Sequence, residues 1–411
     1  NEVQVKAAAN GAMAVLSNAV VFASGRPAVV VEQGATLTAA ANQVMMAGDR
    51  PDKLAYAASY KGESCVLATT GVTVTVKSGI PYVTGFTVSN AVQRIDGTAV
   101  AGGTAYRVLP GDDVYVSYTV EEGYTSKSDN PLVYLKIEGD KTVDENAISI
   151  VPQPIPYRAW NETTGQMENK ECTDYVVVSN ATTSFEDGKW YVVRKPVSCG
   201  TITVNGSAHL ILCDGATLTA NGPADNAGLA VGAGNAFAIY GQALGSGALV
   251  ANGGANCAGI GSTNRQDCGA VTIHGGTVRA KGGRCGAGIG AGGGGYGGTV
   301  TIHGGDLEAV GNNGIPKNGS GAGIGGSMAG DGGVVTITGG RVKAVGGAAS
   351  AGIGGGTAGD GGQVTISGGY VYAAGVTASG IGGGMIGNGG QVKITGGTVK
   401  AEGFWGCPDI G

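Results

Sequence analysis

The stretch Val271-Thr-Ile-His-Gly-Gly-Thr-Val-Arg-Ala-Lys-Gly-Gly283, followed by Gly286-Ala-Gly-Ile-Gly290, decides the fold. It recurs as Val300-Thr-Ile-His-Gly-Gly-Asp-Leu-Glu-Ala-Val310, Val335-Thr-Ile-Thr-Gly-Gly-Arg-Val-Lys-Ala344, Val364-Thr-Ile-Ser-Gly-Gly-Tyr-Val-Tyr-Ala373 and Val392-Lys-Ile-Thr-Gly-Gly-Thr-Val-Lys-Ala401. The Gly-Ile-Gly signal travels with it. Its isoleucines are Ile260, Ile289, Ile324, Ile353, Ile381 and Ile410, spaced by 29, 35, 29, 28 and 29 residues. A fixed period of this size is the signature of stacked repeats.

Each period holds three short apolar runs between glycine-rich corners. Val271-Thr-Ile-His274 and Thr277-Val-Arg-Ala280 alternate with period two, as strands with one buried face do. The third run, Ala287-Gly-Ile-Gly290, carries one large apolar residue between glycines, which permit sharp corners and close backbone approach. Strands this short cannot bury a face alone, so each pairs with its equivalent one coil on, about 4.8 Å away. The predicted fold is all-β: a right-handed, three-faced parallel β-helix preceded by a small antiparallel β-sandwich. The valines at 271, 300, 335, 364 and 392, the isoleucines two residues on, Val278 with its counterparts and the Gly-Ile-Gly isoleucines form interior columns, with alanines at 280, 309, 344, 373 and 401 beside them. The 35-residue interval is a coil with an outward insertion at Asn312–Gly319.

The organisation upstream is read as three parts. Residues 1–70 are an apolar β segment or arm, in which Gly34-Ala-Thr-Leu-Thr-Ala39 repeats Gly215-Ala-Thr-Leu-Thr-Ala220. A packed β-layer, a coil-like cap and an arm that adds a strand to a neighbour are all open readings. Residues 71–155 hold alternating strands such as Val72–Val76 and Val114–Val120, separated by Gly, Pro and Asp turns, as in a small sandwich. Val151-Pro-Gln-Pro-Ile-Pro156 reads as a stiff linker, and the solenoid takes residues 156–411.

Two resemblances follow. The block at 71–155, notably Asp96-Gly-Thr-Ala99 and Glu122-Gly-Tyr124, resembles the immunoglobulin-like modules of bacterial surface proteins. Asp187-Gly-Lys-Trp-Tyr-Val-Val193, then Leu210-Ile-Leu-Cys-Asp-Gly-Ala-Thr-Leu-Thr219, then the iterated glycine-cornered repeats resemble a family of secreted bacterial Gly-rich β-helix proteins of adhesin-like or carbohydrate-binding type. The resemblance covers about residues 186–411 and implies a secreted, extracellular place at a bacterial cell surface. The pectin-lyase-like β-helix is similar in shape only, and shape does not confer activity.

Composition narrows the function. The chain has 411 residues, 82 of them Gly without a Gly-X-Y period, and a net charge of -5. That balance leaves no basic footprint for nucleic acid. No long apolar run predicts a membrane span. The chain begins at Asn1 without Met, as a mature or trimmed form does. Of the eight cysteines none makes a C-x-x-C pair; Cys257 and Cys285 fall on adjacent coils, either as a disulfide or as buried thiols.

Candidate chemistry is sparse, and no catalytic residue, metal ligand set or cofactor is assigned. Asp306 and Glu308 share an outward face, flanked by Arg279, Arg341 and Lys343, and read as a charge ladder. His274 and His303 stack one coil apart as a surface ladder, and His209 is isolated. The Thr-rich strip with Thr336 and Thr338, and the outward pair Tyr370 and Tyr372, are the candidate ligand-binding residues, aromatic faces being suited to sugar rings. No capping element follows Ile410, which fits either a truncated chain or an end covered by another molecule; on the second reading, head-to-tail assembly through Val29, Val30, Val31 and Ile410 into filaments is expected. The leading expectation is a structural or adhesive solenoid whose partners are copies of itself or surface glycans. A carbohydrate-binding module and a polysaccharide-active enzyme are the alternatives.

Overall fold

The structure, a computed structural model, describes residues 72–89, 91, 103–108, 113–312 and 319–411, Arg107 as backbone only. It also gives the backbone of eight strands before residue 72 and of Gln93–Ile95. The chain divides into two compact units, Asn1–Gln153 and Pro154–Gly411.

In the second unit three parallel sheets of nine, eight and eight strands run the length of a solenoid. The first sheet ends in Gln391–Ile394, the second in Ile381–Gly382 and the third in Thr398–Gly403. Register is residue on residue. Val271 pairs with Val300, and the column continues through Val335, Val364 and Val392. Val278, Leu307, Val342, Val371 and Val399 make the next column. Ile260, Ile289, Ile324, Ile353 and Ile381 make the third, extended by a bridge from Ile381 to Ile410. These side chains form one continuous core with the alanines at 280, 309, 344 and 373. The offset of one coil from the next is set by the tight corners. Gly290 sits at φ +133°, where L side chains rarely go, and a Cβ there would collide with the Gly325 carbonyl oxygen of the next coil. The long interval between Ile289 and Ile324 leaves their pairing intact. Residues 313–318 of the expected insertion fall outside the described residues.

Two sheets over a shared apolar core and one two-stranded ribbon form the described part of residues 72–153 in the first unit. Val83–Val88, Val114–Val120 and Leu132–Tyr134 form one; Gln93–Ile95, Gly103–Val108, Val72–Lys77 and Lys141–Val143 form the other. Val74, Val76, Val108, Val114, Val116 and Val143 fill the space between. The sandwich departs from purely antiparallel pairing at one edge, where Lys141–Val143 runs parallel to Val72–Lys77. The expected stiff linker at Val151–Pro156 is instead mostly strand. Ile150–Pro152 pairs with Tyr124–Ser126, and Ile155–Asn161 opens a hairpin with Gln166–Cys172. Prolines at strand ends and on two-stranded ribbons remove no ladder bond that a central strand would need.

Before residue 72 the first six strands pair in parallel, and Glu63–Leu67 then pairs antiparallel with Val44–Ala47 and with Tyr56–Tyr60. Val5 pairs with Val29, Met13 with Thr36 and Ala19 with Val44. That is the pairing of two stacked three-strand coils, and Thr36–Ala39 belongs to the stretch that repeats Gly215–Ala220. Val29–Val31, proposed from sequence for assembly, form the strand paired with Val5–Ala7; their side chains fall outside the described residues.

Candidate functional site

The outward residues of the third sheet converge on one cleft. Strand register stacks Thr277, Asp306, Arg341, Tyr370 and Thr398 in one column and Arg279, Glu308, Lys343, Tyr372 and Lys400 in the next. Period-two alternation turns these side chains out while Val278, Leu307, Val342 and Val371 turn in. The cleft has a volume of about 490 Å³. Its charges are organised around Arg279, which reaches Asp306 at 2.7 Å and Glu308 at 3.5 Å. Lys343 holds the other Glu308 oxygen at 2.8 Å. The Arg341 guanidinium lies 5.6 Å from the centre of the Tyr370 ring, and the Lys400 ammonium 5.4 Å from that of Tyr372. Tyr372 donates its hydroxyl proton to Glu402 at 2.6 Å, and Lys400 meets the other Glu402 oxygen at 2.7 Å. Lys400 and Tyr372 together hold the Glu402 carboxyl below its ordinary value, and the Glu402 acceptor raises the Tyr372 phenol. The predicted pair Tyr370 and Tyr372 is therefore brought together, one coil on from Arg341 and Lys343 of the charge ladder.

The first sheet's outer face is different. Thr272, Thr301, Thr336 and Thr365 do stack, and Thr338 follows His274 and His303 in the neighbouring column. The histidines, however, are no surface ladder. The hairpin Ile155–Cys172 lies over this face, and its Ile155, Tyr157 and Ala159 pack on Val192, Ile211 and Tyr240. His303 is buried against Trp160, the two rings stacked nearly parallel with centres 5.0 Å apart. The Trp160 backbone N–H donates to His274 Nδ1 at 3.0 Å. His209 is not isolated either: it stacks on Trp190 at 4.4 Å, and Tyr240 stacks on His274 at 4.5 Å. At His274 and His303 an aromatic stack thus replaces the expected surface ladder, and Thr338 bonds His303 Nδ1 at 2.9 Å. Thr336 and Thr338 remain half-buried and form no pocket with the tyrosines. Burial lowers the pKa of His209 and His303, and burial with His303, His209 and Lys170 takes His274 to about 4.

Other carboxylates and thiols on the coils have structural places. Asp331 and Asp360 stack at a corner, where Asp331 accepts the Asp360 N–H and Asp360 accepts the Asn388 N–H. All seven described cysteines are free thiols, Cys257 and Cys285 among them. Among the described residues no three His, Cys, Asp or Glu converge on a metal position. No helix among them is long and apolar enough to cross a membrane. Ile410, the other residue assigned to assembly, is exposed on the last coil.

Three parallel sheets in register, closed by glycine corners, define a parallel β-helix repeat protein. The family model described as "Beta helix repeat" matches residues 271–293, 335–357, 364–385 and 392–408, four of the regular coils; the coil that carries Asp306 and Glu308 lies between the first two matches. The chain matches no curated protein and no solved structure.

Proposed function

We propose that this chain is a secreted or cell-surface structural solenoid that adheres by holding a glycan in the cleft on its third sheet. The observation that carries the reading is the placement of Tyr370 and Tyr372 on consecutive outward columns, ringed by hydrogen-bonding charges, on a face that no other element covers among the described residues. Sugar sites combine apolar ring faces with a few fixed polar groups, and both are supplied here by strands held rigidly from below. Holding fits these residues better than hydrolysis does. Asp306 and Glu308 are both engaged by Arg279, and the nearby Glu402 is lowered, whereas a glycosidase needs a carboxyl raised to donate a proton.

A glycan array read with the full chain tests this. Binding to at least one glycan class that falls about tenfold or more in Tyr370→Ala or Tyr372→Ala, with the unfolding midpoint unmoved, supports the reading. Binding indifferent to both substitutions removes the cleft from the function.

A further inference from the structure

The cleft's charges do not cancel, and the remainder points to one ligand class. Its lining holds four basic side chains, Arg279, Arg341, Lys343 and Lys400, against two acidic ones, Asp306 and Glu308. Glu402 in the adjacent column neutralises Lys400. Arg279 and Lys343 share Asp306 and Glu308. Asp306 stands next to Arg341 in its own column, yet turns to Arg279 on the other side. Among the described residues Arg341 is left with no carboxylate partner. It is exposed, and its guanidinium rests by the face of the Tyr370 ring, which orders the group without satisfying its N–H donors. A guanidinium fork presented in this way matches the two oxygens of a carboxylate, a geometry an ammonium cannot offer. The chain as a whole carries -5, so the local cation excess runs against the protein's overall charge.

We propose that the cleft selects a carboxylated glycan, a chain bearing uronic acid, with a carboxylate taken by Arg341 and the sugar ring lying along Tyr370 and Tyr372. This rests on the glycan reading above and narrows it to acidic sugars.

The test is titration calorimetry of the full chain with oligogalacturonate, a neutral cello-oligosaccharide, a sulfated glycan and poly-glutamate of similar charge. The expected result is binding of oligogalacturonate alone. It should weaken about tenfold or more in Arg341→Gln and measurably in Arg341→Lys, which keeps the charge and loses the fork. Both changes are outward-facing and should leave the unfolding midpoint in place, which is measured alongside. Equal binding of the neutral chain, untouched by Arg341→Gln, overturns the acidic class and leaves the glycan reading standing. Binding of the sulfated glycan in preference to the uronate overturns the carboxylate assignment. Equal binding of poly-glutamate shows a site that reads charge only and overturns the proposal. Absence of binding to every sugar overturns it together with the glycan reading.

Discussion

His274 is a base kept neutral by its surroundings. Tyr240 and His303 cover its two faces, and its Nδ1 accepts the Trp160 N–H, a role that only the unprotonated nitrogen can play. The ionisable groups around it are His209 and His303 on the sheet and Lys170 and Glu162 on the hairpin; Glu162 lies 3.4 Å from His303 Nε2. The folded pKa near 4 lies below the ordinary imidazole value of 6.5, so the unfolded chain takes the proton first as pH falls. The stability that neutral His274 lends is complete above about pH 6.5, is lost between there and about 4, and is constant below. The slope is at most about 1.4 kcal/mol per pH unit for one such group. His209 and His303 are shifted the same way by burial and add to the loss. Thermal unfolding between pH 7.5 and 4 should therefore show a falling midpoint, and His274→Gln should flatten part of that fall. An unchanged slope in the variant would place the acid sensitivity elsewhere.

At the scale of elements, the solenoid and its covering hairpin differ in how far the sequence reveals them. The three interior columns are legible because an inward residue must recur once per coil, and Val271, Val278 and Ile289 do so at a fixed period. The same alternation turns Tyr370 and Tyr372 outward, so half of the cleft could be read directly. The sharing of Arg279 between two carboxylates depends on rotamers, and the part of Glu402 depends on a neighbouring column; neither follows from spacing. The hairpin was missed because it lies outside the repeat and covers a column that periodicity assigns to solvent. Two signals were available: alternation in Ile155-Pro-Tyr-Arg-Ala159 before the Asn161–Gly165 turn, and rings at Tyr240, His274 and His303 on an outward column. Tyr157 measures what this element contributes. It is buried, 4.9 Å from the Trp190 ring and 5.1 Å from that of Tyr240. Tyr157→Ala should cost about 3–5 kcal/mol, as truncation of a buried aromatic does, in chemical denaturation. A cost below about 1 kcal/mol would mean that the hairpin only rests on the sheet.

For the whole molecule, a stack of coils makes the same substitution mean different things at different heights. Ile324 has equivalent residues above and below and no exposed surface, whereas Ile410 has one such neighbour and is 45 % exposed. Ile324→Ala should cost about 2–5 kcal/mol by cavity formation, and Ile410→Ala distinctly less. Equal costs, measured by denaturant titration, would contradict nearest-neighbour stacking.

The two compact units carry the same logic to the level of truncation. Each has its own core, Val74 and its neighbours in one and the isoleucine columns in the other, so each should show its own unfolding transition. The place of the cut then matters more than its length. A chain beginning at Pro154 keeps Ile155, Tyr157 and Ala159 over Val192, Ile211 and Tyr240, and should unfold with the solenoid transition of the full chain. One beginning at Asp174 removes that cover and bares buried apolar and imidazole groups on the outer face of the first sheet. Its transition should fall to lower denaturant, and it should bind a hydrophobic dye that the longer version ignores. If the two truncations unfolded alike, the hairpin would be dispensable, and the low pKa of His274 would lose its physical cause.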